Sequence, residues 1–226
     1  MKVNVKSFRS TVCFFMLFAL ITGCSDYEPK ETKPQGTEWK RIEIPDKGAI
    51  YAIHGSIDEF MLVSIYGRIW RSTTGGESWS KVFDTFETIS DFRETTDTIF
   101  AVSNGQDYYS LTNGQSWHEY DRELLIEYQE YFVDLNGVHY RIVGHFEGEL
   151  ALPGEIEKSM DGRDHWTSIY PYKHSIYSIT LDAKNRLYVG TCTQFEWNSE
   201  EERFIENFEV NAAFYYSASD LGEAYK

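Results

Sequence analysis

Proline is scarce in this chain, at 5 of 226 residues, and glycine is no commoner than in an ordinary globular protein, at 16. A collagen-like repeat and a proline-rich disordered chain are both excluded by that composition. Cysteine is scarcer still: Cys13, Cys24 and Cys192 are the whole complement. Positive charge is also short, because 21 Lys and Arg face 36 Asp and Glu for a formal net charge of −15. Such a balance repels phosphate backbones and anionic membrane surfaces, so nucleic acid is not an expected partner. Solubility is the plainest reading of the acidity. Aromatic residues, in contrast, are abundant at 16%. They favour pleated, half-buried surfaces, and the length suits one large all-β domain or two small ones.

Recognised chemical motifs are missing too. The histidines are His54, His118, His139, His145, His165 and His174, and none falls in a His-Glu-x-x-His spacing. His139 and His145 stand six apart with no carboxylate pattern around them. No Asp-x-Asp-x-Asp-Gly calcium loop, phosphate-cradling glycine loop or Gly-x-Ser-x-Gly elbow occurs. The sequence thus predicts neither a metal site nor a cofactor. A glycosidase needs two carboxylates at a defined separation, but with 36 acids in the chain such pairs are inevitable and uninformative.

The N-terminus reads as an address. Lys2, Lys6 and Arg9 form a basic start, and Thr11 to Gly23 form an apolar run too short to span a bilayer as a stable helix. The run ends at Ile21-Thr22-Gly23-Cys24. This resembles the lipobox of bacterial lipoproteins, with Ile21 where leucine is commoner. The resemblance implies cleavage before Cys24 and lipidation of that cysteine; an ordinary secretory signal cleaved nearby is the alternative. Ser25-Asp26-Tyr27-Glu28 is similar to the acidic export tag of Bacteroidota lipoproteins. Residues 1–24 are therefore set aside as signal peptide, and 25–38, polar and holding Pro29 and Pro34, read as a tether. Together these imply an exported protein anchored to the outer membrane, on its periplasmic or surface leaflet, touching membrane only through lipid at Cys24. Losing three positive charges from a total of −15 leaves the mature part near −18. Cys192 then stands alone, so no intramolecular disulfide is possible. It follows Tyr188-Val189-Gly190-Thr191 on a predicted strand and reads as a buried, inert thiol.

One pattern recurs through residues 39–226. Ser72-Thr73-Thr74-Gly75-Gly76-Glu77-Ser78-Trp79, Ser110-Leu111-Thr112-Asn113-Gly114-Gln115-Ser116-Trp117 and Ser159-Met160-Asp161-Gly162-Arg163-Asp164-His165-Trp166 share Ser-x-(Asp/Thr)-x-x-x-x-Trp. Gly67, Gly105 and Gly154 each precede a box serine by five residues. A degenerate fourth copy runs from Ser217 to Tyr225. These residues resemble the Asp-box, or BNR repeat, of sialidases, sortilin-type receptors and photosystem assembly factors. The resemblance implies a structural turn between the third and fourth strands of a β-propeller blade. In such a turn Ser and Asp bond backbone N–H groups, Gly76 and Gly114 supply positive φ, and Trp79, Trp117 and Trp166 pack between blades. Asp161 is accordingly a turn residue rather than a catalyst or metal ligand.

Alternating segments precede each box. They are Ile50 to His54, Met61 to Ile65 and Arg68 to Arg71 in the first blade, and Ile99 to Ser103 and Gln106 to Tyr109 in the second. Tyr128 to Val133 and Val138 to Val143 follow in the third, and Ile176 to Leu181 and Arg186 to Thr191 in the fourth. The fourth blade lacks an outer strand, while Gly36-Thr37-Glu38-Trp39-Lys40-Arg41-Ile42 matches the end of the first box, Gly76-Glu77-Ser78-Trp79-Ser80-Lys81-Val82. An all-β, four-bladed ring of four-stranded blades is predicted, with the N-terminal strand completing the last blade and removing its open edge. An open half-ring that pairs with a second chain is the alternative.

The sialidase family's first arginine lies in a Phe/Tyr-Arg-Ile-Pro motif ahead of the first box. The nearest match, Tyr140-Arg141-Ile142-Val143, lacks the proline and follows the second box, and the ring is smaller than six blades. Read from its surroundings, Arg141 is a second-strand residue paired with a nearby acid. The insertions are more informative. The second-to-third-strand connection expands over 144–153 in the third blade and 193–210 in the fourth, on the propeller face opposite the boxes. Candidate ligand-binding residues are Phe195, Glu196, Trp197, His145, Phe146 and Arg141. The reading favoured is a binding or scaffold module for an unknown glycan or envelope protein. The alternative is a glycan-processing enzyme using that same face.

Overall fold

The computed structural model describes residues 38–121, 132–144, 146–147, 150–151, 154–192, 195–198, 203–206 and 210–218. Every regular element among them is a strand. The chain opens with β1 (Trp39–Glu43). The first blade is β2 (Ile50–Gly55), β3 (Met61–Ile65), β4 (Arg68–Ser72) and β5 (Ser80–Asp84). The second is β6 (Ile89–Glu94), β7 (Ile99–Ser103), β8 (Asp107–Ser110) and β9 (His118–Tyr120). The third joins β10 (Phe132–Val133) and β11 (His139–Val143), carries a hairpin of β12 (Phe146–Glu147) and β13 (Leu150–Ala151), and resumes with β14 (Glu155–Ser159) and β15 (Thr167–Ser168). In the fourth, β16 (Ser175–Leu181) and β17 (Leu187–Cys192) precede a hairpin of β18 (Phe195–Asn198) and β19 (Arg203–Glu206), then β20 (Ala213–Ser217).

Four four-stranded antiparallel sheets result, in the orders β2-β3-β4-β5, β6-β7-β8-β9, β10-β11-β14-β15 and β16-β17-β20-β1. They form a four-bladed β-propeller. The last order is the ring closure expected from the sequence. β1 pairs antiparallel with β20 from Trp39↔Ser217 to Glu43↔Ala213, so the first strand of the chain finishes the last blade. The predicted strands recur within a residue or so. The inner strand of the second blade, Ile89–Glu94, was not predicted, and residues 128–131 of the expected inner strand of the third lie outside the described residues.

The hydrophobic core lies between blades. Ile50, Met61 and Val63 of the first blade meet Tyr188, Phe214 and Tyr216 of the fourth. Leu62 and Ile69 of the first meet Phe92, Ile99 and Trp117 of the second. Tyr140 and Ile156 of the third meet Ile179, Val189 and Tyr215 of the fourth. Alternate residues of each strand thus serve opposite neighbours, the two-residue period of a pleated sheet buried on both faces.

The repeated glycines acquire a physical reason. A Cβ on Gly67 would sit 2.0 Å from the carbonyl oxygen of Thr85, and one on Gly154 would sit 3.3 Å from Ile176. The first contact comes from the crossover to the next blade and the second from β16, just after its crossover, and both crossovers also bond there: Thr85 N–H donates to Gly67 O at 2.9 Å, and Gly154 N–H to His174 O at 2.9 Å. Gly105 instead faces the carboxylate of Glu87.

The three repeat turns are built alike. Ser72 Oγ accepts from Gly76 N–H at 3.0 Å, Thr74 Oγ1 accepts from Ser78 N–H at 2.9 Å, and Trp79 Nε1–H donates to Gly76 O at 3.1 Å. Ser110, Gly114, Thr112, Ser116 and Trp117 repeat this with 2.9, 2.9 and 3.1 Å. Trp79 meets Phe214 of the fourth blade edge-on at 6.2 Å, and Trp117 meets Phe83 of the first at 6.2 Å. In the third turn Ser159 Oγ accepts from Arg163 N–H at 2.9 Å and donates to Asp161 Oδ1 at 2.8 Å. Hydrogen bonds from His165 N–H, the His165 ring and the Ser159 hydroxyl hold the Asp161 carboxyl well below the usual carboxylate range. Trp166 differs from its counterparts, since its ring lies under the Arg141 guanidinium of its own blade at 4.1 Å. The degenerate fourth copy is described only at Ser217 and Ala218.

Arg163 has φ of +85° where the other two turns have Gly76 at +82° and Gly114 at +75°. A side chain in that left-handed region costs about 1–2 kcal/mol, partly offset by the extra unfolded-state freedom of glycine. Arg163→Gly should therefore stabilise the fold by about 0.5–1 kcal/mol. Urea denaturation would check this, and a destabilised variant would refute it.

Candidate functional site

Strand direction sorts the connections onto two faces. Turns between first and second strands, and the repeat turns between third and fourth, lie on one face. Second-to-third connections and crossovers lie on the other. The hairpins β12–β13 and β18–β19 both sit in second-to-third connections, so both belong to the crossover face. Phe146 lies on β12, and Phe195, Glu196 and Trp197 lie on β18, where Trp197 pairs in register with Phe204. Their side chains, and His145 altogether, lie outside the described residues.

Arg141 is drawn elsewhere. It stands opposite Glu157 in the β11–β14 register, and its Nε and Nη2 donate to one Glu157 oxygen at 2.8 and 2.6 Å. The stack on Trp166 fixes its other side.

Described residues of all four inner strands line a cavity of about 750 Å³. That volume falls in the range of small-molecule pockets. Tyr51 and Tyr177, near the starts of β2 and β16, reach its wall near the crossover face, with ring centroids 5.2 Å apart and planes at 70°. Tyr66, in the tight turn after β3, adds a third ring 5.5 Å from Tyr51. Tyr66 and Tyr177 remain 46% and 39% exposed. Burial, reinforced by Tyr66, Tyr177 and Cys192, pushes the Tyr51 phenol up to about 12, so it is an uncharged hydroxyl at neutral pH. Asp91 and Arg93, two apart on β6, bring a carboxylate and a guanidinium to the same cavity, joined at 3.0 Å. Surrounding protein pushes the Asp91 pKa up, and Arg93 opposes the shift without cancelling it. Its side chain is nonetheless 48% open to solvent, as a cavity wall should be.

A second aromatic group covers the crossover into the fourth blade. Tyr170 OH lies 3.1 Å from His174 Nδ1, and the His174 ring stacks on Tyr215 at 5.0 Å. Burial, with Arg41 nearby, lowers His174 to about 4, so its imidazole is neutral at pH 7. Trp39 of the closing strand meets Tyr170 edge-on at 5.2 Å.

The opposite face is tied together by turns. Asp134 Oδ1 accepts from Asn136 and Val138 N–H, both at 2.8 Å, while Tyr140 OH donates to Oδ2 at 3.2 Å. Asp182 repeats the arrangement with Lys184 N–H at 2.9 Å, Arg186 N–H at 3.0 Å and Tyr188 OH at 2.9 Å. Burial works against the Asp182 carboxylate, but hydrogen bonds from Arg186, Tyr188 and Lys184 outweigh it and lower its pKa. Arg186 bridges the ring closure, meeting Asp182 in its own blade and Asp58 in the first, each at 2.7 Å. The sequence reading missed this Asp-x₅-Tyr unit, although residues 134–140 and 182–188 share it. Among the described residues no group of three or more His, Cys, Asp or Glu could hold a metal ion.

Comparison with known proteins is thin. No family model and no curated protein matches the chain. Among solved structures it is similar to YCF48 bound to a D1 peptide, at 14% identity and a TM-score of 0.31, over 76% of this chain and 58% of that one. It is also similar to a chain of a nidogen/laminin complex, at 15% identity and a TM-score of 0.30, over 62% of this chain and 56% of that one. The chain thus spans little more than half the length of either. The propeller itself rests on the sheet orders and the closure described above.

Proposed function

We propose that the chain is a lipid-anchored protein of the bacterial cell envelope whose Asp-box propeller holds a glycan or protein ligand on the face opposite its repeat turns. One observation carries this reading: both hairpin expansions and the tyrosine-rimmed mouth of the cavity share the crossover face. A rigid ring with elaborated loops on one side is a common layout for binding. The Asp-box assignment is supported by the turns themselves, whose Ser, Thr and Asp side chains are spent on backbone N–H groups inside the turn. A glycosidase-like role is less well supported. Asp91 and Glu94 come from one strand, and Asp91 is joined to Arg93 while Glu94 lies 3.7 Å from His54.

Cross-linking in cells tests the proposal. Full-length chain with a photo-reactive residue replacing Trp197 or, separately, Tyr177 should sediment with membranes and trap a discrete ligand. The same chain carrying Cys24→Ser should leave the membrane fraction. Unchanged fractionation would sink the anchor, and the absence of any cross-link from positions 177 and 197 would sink the binding face.

A further inference from the structure

Building on the binding face just proposed, we propose that the central cavity, rather than the hairpins alone, takes the end of a neutral oligosaccharide. A pyranose presents apolar C–H faces and polar O–H edges. Its faces need aromatic rings, and its edges need planar groups that donate and accept in pairs. The cavity wall supplies both: Tyr51 and Tyr177 as rings with neutral hydroxyls, and Asp91 beside Arg93 as paired acceptor and donor. Ser178 and Thr180 continue the lining along β16.

Shape and charge narrow the ligand class. A volume of about 750 Å³ lined by residues of all four blades suits a compact sugar ring or chain end. An extended peptide binds most readily along an open groove or a free strand edge. Within the cavity Arg93 is matched by Asp91, which leaves no excess positive charge on that pair to draw an anionic sugar. The chain as a whole carries −15, which repels sialylated or uronate-bearing glycans. A neutral saccharide escapes that repulsion.

The test is an array of immobilised neutral and sialylated oligosaccharides, probed with the full-length chain in detergent. Titration of the best neutral hit as a free oligosaccharide follows. Binding to neutral members is expected, weakened at least tenfold by Tyr177→Ala and by Asp91→Asn, with Tyr177→Phe retaining affinity within about threefold. Thermal unfolding of each variant shows whether a loss reflects the site or the fold, and Asp91→Asn, which leaves both tyrosine rings in place, keeps the test decisive if alanine destabilises. Neutral binding that survives both cavity variants but disappears on Trp197→Ala would overturn the cavity site while sparing the binding face. A blank neutral array beside a cross-linked envelope protein would overturn the ligand class. A blank array with no cross-link anywhere would overturn the binding face as well.

Discussion

Deleting Trp39–Ile44 should abolish the folded monomer. The segment is the fourth strand of the last blade, paired with β20 over five residues, and Ile44 N–H continues the ladder to Ala212 O at 2.8 Å. Ile44 is fully buried, Ile42 packs against the same core, and Trp39 closes over Tyr170. Burial of an aliphatic or aromatic side chain is worth roughly 1.5–3 kcal/mol, so three such side chains together represent about 5–9 kcal/mol. A domain of this kind has only about 5–15 kcal/mol in total. The deletion would also expose β20 as an open edge on a strand of five buried residues, Ala213–Ser217. Size-exclusion chromatography should show aggregate and calorimetry no cooperative transition. A monomeric deletion variant with an unchanged melting temperature would show that the ring does not depend on this strand.

What the sequence disclosed was whatever is local. The repeat turns were legible because their hydrogen bonds run between residues two to four apart, and their residue types follow from that geometry. Closure was legible because Gly36 to Ile42 repeats the end of a box. The inner strand Ile89–Glu94 was not, because Asp91, Arg93 and Glu94 leave only Ile89 and Phe92 apolar, three positions apart rather than the two that mark a strand. The cavity was hidden for another reason. Tyr51 and Tyr177 are 126 positions apart, and only the closed ring makes their rings neighbours. Arg186 likewise meets Asp58 across 128 positions. The Asp-x₅-Tyr unit could have been found by aligning the two first-to-second-strand turns, since both copies stand openly in the sequence. Nothing local, however, marks Arg186 as the bridge between first and last blades.

Gly190→Ala should be the most damaging single substitution at that same junction. Gly190 lies on β17 directly opposite Ser178 of β16. A Cβ there would sit 2.2 Å from Ser178 Oγ and 2.7 Å from the carbonyl oxygen of Ile50. Ser178 Oγ donates to that carbonyl at 3.1 Å, so the three residues form one contact between the inner strands of the fourth and first blades. Ser178 can rotate away only by giving up the hydrogen bond. The Ile50 carbonyl, on a fully buried residue of β2, can retreat only if one blade moves against the other. Overpacking and the lost bond together should cost about 2–4 kcal/mol by urea denaturation. The pair Ser178→Ala with Gly190→Ala should recover the part due to the hydroxyl and leave the part due to Ile50, a coupling that a double-mutant cycle isolates. A cost below about 0.5 kcal/mol would mean that the blades yield freely here. The substitution also reaches the cavity, because Ser178 stands beside Tyr177 on the strand that forms its wall. A variant that remains folded should therefore have its Tyr51–Tyr177 pair spread apart and its ligand affinity reduced, tying ring closure to the mouth of the proposed site.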